Sequence, residues 1–187
     1  MNKNSLLKIA TFLCKLINGS FLLILLILTT VFIHFQIDRD FYEGWHAEKP
    51  TINKAIKFQK VIGEETLDSN VVYMTDWNTT SLYFNYIKFS GIFLLMYLSI
   101  QQFQKVLESV ENFETFKTTN VLAFRRIGIY CLIISGLSWI TLWDFDNYHV
   151  RRFSIEFDFL IIALLCFIFA EIFKEGNQLM EENQLTI

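Results

Sequence analysis

The chain has almost no proline. One Pro and seven Gly in 187 residues argue against collagen-like, Pro-rich and Gly-rich low-complexity architectures. Cysteine is nearly as scarce. Cys14, Cys131 and Cys166 form no C-x-x-C pair and lie in or beside apolar stretches, which argues against a disulfide framework or a cysteine metal site. Net charge is small too. At −3 the chain has no basic excess with which to neutralise a phosphate backbone, so nothing supports direct nucleic-acid binding. G-x-S-x-G, P-loop, G-x-G-x-x-G and H-E-x-x-H motifs are all missing. His34, His46 and His149, with Asp38, Asp40, Asp144 and Asp146, offer imidazole and carboxylate. They lack metal-motif spacing and read as solvated acidic loops. No catalytic, cofactor-binding or metal residue is assigned, and an enzyme is not expected.

What the chain does have is apolar sequence. The hydrophobic fraction is 53%, with 20 Phe, above the ~45–50% usual for soluble domains. The excess falls in four blocks separated by charged segments, the pattern of an all-α integral membrane protein with four transmembrane helices. The spans are placed at 16–35, 82–100, 127–143 and 157–173. The first follows Lys3, Lys8 and Lys15 with no acid before it. A cleavable signal peptide also begins basic and then apolar, but here the apolar block is long and no small-x-small site follows it. Asp38 to Thr80 is a long, acidic, extracytoplasmic loop. Its β-leaning runs, Ala55 to Ile62 and Val71 to Trp77, suit a small hairpin. Trp45, Tyr73 and Trp77 suit the headgroup level.

Helix two carries Asn85 and Lys88 near its start. The expected place of Lys88 is at the rim, with its ammonium reaching the interface. Ile100, Phe103, Val106, Leu107 and Val110 recur at helical spacing beyond the span, so helix two should run on out of the bilayer. Thr118, Thr119 and Asn120 are candidate N-caps for helix three. The link from Asp144 to Ser154 is short, so helices three and four should be antiparallel neighbours. Each has a stripe of small residues that permits close approach: Gly128, Cys131, Ser135 and Ser138 on helix three, and Ala163, Cys166 and Ala170 on helix four. Arg125 and Arg126 should meet Glu171 and Glu175 in an ion cluster at the inner rim. Weighting basic residues near the span ends puts both termini in the cytoplasm. Residues 174–187 then form a cytoplasmic tail, helical rather than disordered, that extends helix four.

Two stretches carry a resemblance. Glu114 to Tyr130, ETFKTTNVLAFRRIGIY, and Phe169 to Ile187, FAEIFKEGNQLMEENQLTI, are similar to the bacterial membrane family called domain of unknown function 2975. The matching positions are Phe116, Asn120, Val121, Arg125, Arg126, Ile127 and Gly128, then Ala170, Glu171, Phe173, Gly176, Glu181, Glu182, Leu185 and Thr186. Gln184 stands where the family pattern has Asp, and no Pro precedes Phe116. The resemblance implies about four spans in a bacterial cytoplasmic membrane, no established activity, and a loose association with small helix-turn-helix regulators.

The expected function is therefore that of a multi-pass accessory or signalling protein without enzymatic activity. Its partners would be the lipid bilayer and either a cytoplasmic protein or further copies of itself, and it needs no cofactor. The alternative is a subunit of a small transporter or channel. That reading needs a polar path, for which Asn85, Lys88, Ser90, Ser135 and Ser138 are the candidates.

Overall fold

The computed structural model describes residues 3–48, 71–146 and 148–185. Four long helices dominate: α1 (Lys3–Ile37), α2 (Thr79–Glu111), α3 (Thr118–Ser138) and α4 (Asp158–Leu185). Four short strands lie between them: β1 (His46–Glu48), β2 (Val71–Tyr73), β3 (Ile140–Phe145) and β4 (Tyr148–Phe153). Among the described residues, three helices are long and apolar enough to cross a membrane: Ser5–Ile37, Thr79–Glu111 and Thr118–Ser138. α4 has the length, but charges at Asp158, Glu171, Lys174 and Glu175 leave an uncharged run of 12 residues, Phe159 to Ala170, or roughly 18 Å of helix. Large apolar side chains stand exposed along all four helices, among them Leu26, Ile87, Leu132 and Leu164. In water such surfaces would associate; against lipid tails they carry no penalty.

The chain divides into two compact units. The first comprises Met1–Ile24, Phe93–Ser135 and Phe157–Ile187. Its core gathers Val106 from α2, Phe124, Ile127 and Cys131 from α3, and Ala163, Cys166 and Ala170 from α4. On α1, Leu7, Cys14 and Asn18 are buried and share one helical face. Opposed pairs show how α4 runs against α3 and the connection just before it. Phe116 meets Phe173, Phe124 meets Phe169, and Gly128 meets Phe167. Numbers rise along one helix as they fall along the other, so the two are antiparallel neighbours, as the short link requires.

The second unit comprises Leu25–Ile92 and Gly136–Glu156. Phe35, Tyr42 and Leu82 form its core, with Phe32, Met74 and Trp77 packed against them. It holds both two-stranded antiparallel sheets. In one, His46 pairs with Tyr73 and Glu48 with Val71. The run from Val71 to Trp77 is thus a strand for three residues and then a 3-10 turn (Met74–Asp76). Its partner is His46–Glu48, and the run Ala55 to Ile62 lies outside the described residues.

The β3–β4 hairpin corrects the third span. Residues 127–143 read as one apolar helix, yet α3 ends at Ser138 and Ile140 to Phe145 is a strand. Ile140, Thr141, Leu142, Trp143 and Phe145 are β-branched, aromatic or apolar, residues that suit a pleated, half-buried surface. Ile140 pairs with Phe153 and Phe145 with Tyr148, and Ser154 N–H donates to Trp139 O at 2.9 Å to close the base.

Helix ends follow local chemistry. Asn78 caps α2, its Oδ1 accepting from Thr80 N–H at 2.9 Å. At the other end of α2, Phe113 takes a left-handed conformation (φ 59°). Glu114 N–H reaches back to Ser109 O at 2.9 Å and Phe113 N–H to Val110 O at 3.3 Å, the Schellman pattern. The candidate N-caps Thr118, Thr119 and Asn120 all lie inside α3 instead. Asn120 is used differently, as described next.

Candidate functional site

In the first unit, the connection between α2 and α3 is tied down by one side chain. Asn120 is 2% exposed. Its amide donates to Thr115 O at 2.7 Å, Ser109 Oγ at 2.9 Å and Glu114 O at 3.3 Å. Ser109 Oγ in turn donates to Glu114 O at 2.7 Å. These bonds serve the carbonyls of Glu114, which also accepts from Lys117 N–H at 3.3 Å, and of Thr115, next to the core.

The next lock joins α3 to α4. Phe116 lies over Gly176, where a Cβ would overlap its ring, and its centroid is 5.7 Å from that of Phe173. A Cβ at Gly128 would sit 2.9 Å from Phe167 Cζ, so glycine at both positions is what lets an aromatic ring close on the helix backbone. Arg125 donates to Glu171 Oε1 at 2.7 Å, and Lys174 to Glu171 Oε2 at 3.2 Å. All three are half-exposed, so the pair orients more than it stabilises.

The expected ion cluster therefore forms with a change of members. Arg125 and Glu171 are together and Lys174 joins them. Arg126 and Glu175 are exposed, and Arg126 lines a separate polar groove of about 450 Å³ with Lys105, Glu108, Glu114 and Lys117. Lys174 could have been found from its i, i+3 spacing to Glu171. Of the small-residue stripes, Gly128, Cys131, Ser135, Ala163, Cys166 and Ala170 are all buried within this unit, with Cys131 and Cys166 in one core cluster. Ser138 falls in the other unit and is half-buried.

The second unit explains the polar residues of α2. In an antiparallel hairpin, alternate residues of a strand direct their backbone groups away from the partner. On β3 those residues are Ile140, Leu142 and Asp144. Ser81, Asn85 and Lys88 meet them from one face of α2. Ser81 Oγ donates to Leu142 O at 3.0 Å and accepts from Asp144 N–H at 3.1 Å. Asn85 Nδ2 donates to Leu142 O at 2.6 Å, and Lys88 Nζ to Ile140 O at 2.5 Å. Asn78 N–H adds a bond to Asp144 O at 2.8 Å.

Helix steps of about 6 and 4.5 Å face strand steps of about 6.8 Å, and the long lysine arm makes up the difference. A strand edge facing hydrocarbon would leave its carbonyls unpaired; the polar face of α2 pairs them. Lys88, expected at the rim, is buried at 8% exposed, with Glu156 as a favourable charge. Trp77, Trp143 and Phe145 stack beside the hairpin, with Trp77 5.2 Å from Trp143. Trp45 and Tyr73 are exposed.

Ser90 Oγ donates to Ile87 O of its own helix at 3.1 Å. Ser135 is buried in the first unit. The histidines are dispersed: His34 bonds Tyr42 at 3.2 Å, His46 bonds Gly44 O at 3.1 Å, and His149 pairs with Asp144 across the hairpin. Among the described residues no three His, Cys, Asp or Glu side chains come together.

These features define a mainly helical membrane protein whose distinctive residues brace two helices and a loop. A family model described as "Protein of unknown function (DUF2975)" matches residues 65–187, well over half of the chain, and the chain belongs to that family. Neither a curated protein nor a solved structure matches it at a significant level. Of the residues that carry the family pattern, Phe116, Asn120, Arg125, Gly128, Glu171, Phe173 and Gly176 are those of the loop tie and the α3–α4 lock just described. Thr186 lies outside the described residues.

Proposed function

We propose that the chain is a four-span protein of the bacterial cytoplasmic membrane with both termini inside, working as a non-enzymatic accessory or regulatory protein. The fourth span would be 157–173, entered at Asp158 and left at Glu171. Lys3, Lys8 and Lys15 ahead of the first span support this orientation, as does the net acidic loop from Asp38 to Thr80. The cytoplasmic surface would then comprise the α2–α3 connection with its polar groove and the extension of α4. Leu179 and Met180 stand exposed on that extension, at 60% and 47%.

The observation that carries the reading is the use made of the polar groups in α2. Ser81, Asn85 and Lys88 are engaged by the backbone of β3. A transporter subunit would need those groups along a path, so the feature that recommends transport is already accounted for. The groove and the α4 extension are the surfaces left for a protein partner. A helix-turn-helix regulator is the class that the family resemblance implies.

The test is in-cell photocrosslinking from Asn112 and Gln178. The expected result is one shared protein adduct that disappears when the chain stops at Gln178, while membrane insertion is kept. A reporter fused to Ile187 that is active only outside the cytoplasm would reverse the orientation. Solute flux in liposomes that is lost in Lys88→Ala, with the hairpin intact, would favour transport instead.

A further inference from the structure

The polar groove of about 450 Å³ between the end of α2 and the start of α3 lies wholly within the first unit. Gln102 and Lys105 line it from α2, and Thr119, Leu122 and Arg126 from α3. Spacings of three and four residues hold each set on one helical face. Gln102 is 8% exposed, yet its amide makes no hydrogen bond with any described residue. It is not sealed off either, since it is absent from the enclosed polar atoms that lack a partner; it opens on the groove it lines. A polar side chain held this deep without a partner is costly, so it asks for one from the groove.

The groove's other polar side chains divide into committed and free. Asn120, Ser109 and Glu114 bond one another, Lys117 pairs with Glu114 at 2.6 Å, and Glu108 accepts from Gln104 at 2.8 Å. Lys105 and Arg126 are exposed, and neither makes an ion pair among the described residues. The first turn of α3 carries no acid, and the N–H groups that open a helix have no carbonyl within it. Two free cations, an open amide and a helix start call for an anion rich in oxygen. Charge narrows the choice. Lys105, Lys117 and Arg126 stand against Glu108 and Glu114, leaving one positive charge in excess. A phosphodiester, with one negative charge, balances it; a dianionic phosphate overshoots.

We propose that this groove binds a phosphodiester group, its oxygens on Lys105 and Arg126 and on the Gln102 amide N–H. A lipid headgroup is one source of such a group. Leu122, at the groove, is 47% exposed and offers apolar surface to an acyl chain. If α2 crosses the bilayer, its 33 residues extend roughly 50 Å against ~30 Å of hydrocarbon, which brings the groove to headgroup level. A soluble diester is the other source. The proposal adds a ligand to the groove and holds whether or not a protein partner also docks there.

The test uses the purified full-length chain in micelles of an uncharged detergent. Binding of dihexanoyl phosphatidylglycerol is measured by equilibrium dialysis and corrected for partition into empty micelles. One saturable site is expected, with dihexanoyl phosphatidylcholine, which has no net charge, at least tenfold weaker. Lys105→Gln and Arg126→Gln should each weaken the site about tenfold and Gln102→Leu about threefold. Lys8→Gln, which removes an exposed cation of α1 outside the groove, should leave it unchanged. Because Lys105 and Arg126 are exposed, their variants decide the matter if Gln102→Leu does not fold. Glycerophosphoglycerol, the same headgroup without acyl chains, separates the sources: displacement of the lipid upholds a site for the diester itself, and no displacement upholds a site for the lipid. No saturable site, equal affinity for both lipids, unchanged affinity in both Lys105→Gln and Arg126→Gln, or an equal loss in Lys8→Gln would each overturn the proposal.

Discussion

Replacing Asn120 by Asp is the sharpest single perturbation of the loop between α2 and α3. The shape of the side chain is kept and its two donor hydrogens are lost. In the native loop those hydrogens are shared among Thr115 O, Ser109 Oγ and Glu114 O. Glu114 O keeps the Ser109 hydroxyl, but Thr115 O loses the donor it has. Two net hydrogen bonds at about 1 kcal/mol each, and an acceptor stranded beside the core, put the loss for Asn120→Ala at roughly 2–3 kcal/mol. A carboxylate adds repulsion against the same carbonyls, so Asn120→Asp must be worse than Asn120→Ala. Amide hydrogen exchange, read by mass spectrometry on peptides spanning 109–120, reports this opening directly. Exchange should quicken roughly 30- to 150-fold in the Ala variant and further in the Asp variant, while peptides from the β3–β4 hairpin remain unchanged. If Asp were tolerated as well as the native amide, Asn120 would not be acting as a donor and the account of this loop would be wrong.

The other predictions concern neighbouring features. Phe113→Gly should stabilise the first unit by about 1 kcal/mol, because a left-handed residue with a Cβ is strained and glycine is not; thermal unfolding in micelles measures it. Gly128→Val should cost about 1–3 kcal/mol by overpacking against Phe167, and Phe167→Ala in the same chain should recover part of that loss in the same assay. Lys88→Met keeps the bulk of the arm but leaves Ile140 O unpaired, so exchange in residues 140–145 should quicken while residues 109–120 are unaffected. Cys131 and Cys166, both buried, should react with maleimide only after the membrane protein is unfolded in SDS; rapid labelling in intact membranes would contradict the core described here.

Much of the helical layout was legible because a long apolar run satisfies its backbone most simply as a membrane helix. The continuation of α2 to Glu111 was visible in its three- and four-residue spacing, and the antiparallel α3–α4 contact in the small-residue stripes and the short link. The hairpin was not visible, because apolar sequence runs from α3 into β3 with no polar break and a helix template fits both. The β-branched and aromatic enrichment after Ser138 was the available clue. The pairing of His46–Glu48 with Val71–Tyr73 joins segments more than twenty residues apart in sequence and has no local signature. Lys88 and Asn85 were recognised as out of place, but their partners are backbone carbonyls. Every residue has one, so side-chain pattern does not point to them. Arg125 and Glu171 could be paired from sequence because opposite charges near the ends of adjacent helices invite it. Arg126 and Glu175 looked equally suitable, and only the rotation of each helix separates them.

The polar face of α2 also sets an order of events during synthesis. When α2 leaves the ribosome, Asn85 can reach only Ser81 of its own helix and Lys88 lacks Ile140 O, and a lysine in a span costs roughly 2.5–3.5 kcal/mol near the bilayer centre on insertion scales. Ile140 and Leu142, whose carbonyls relieve that cost, are more than fifty residues downstream. If α2 spans the membrane as proposed, it is a conditional span, settled only when β3 closes on it, and a nascent chain interrupted between α3 and β3 should be more open to membrane proteolysis than one interrupted after β4.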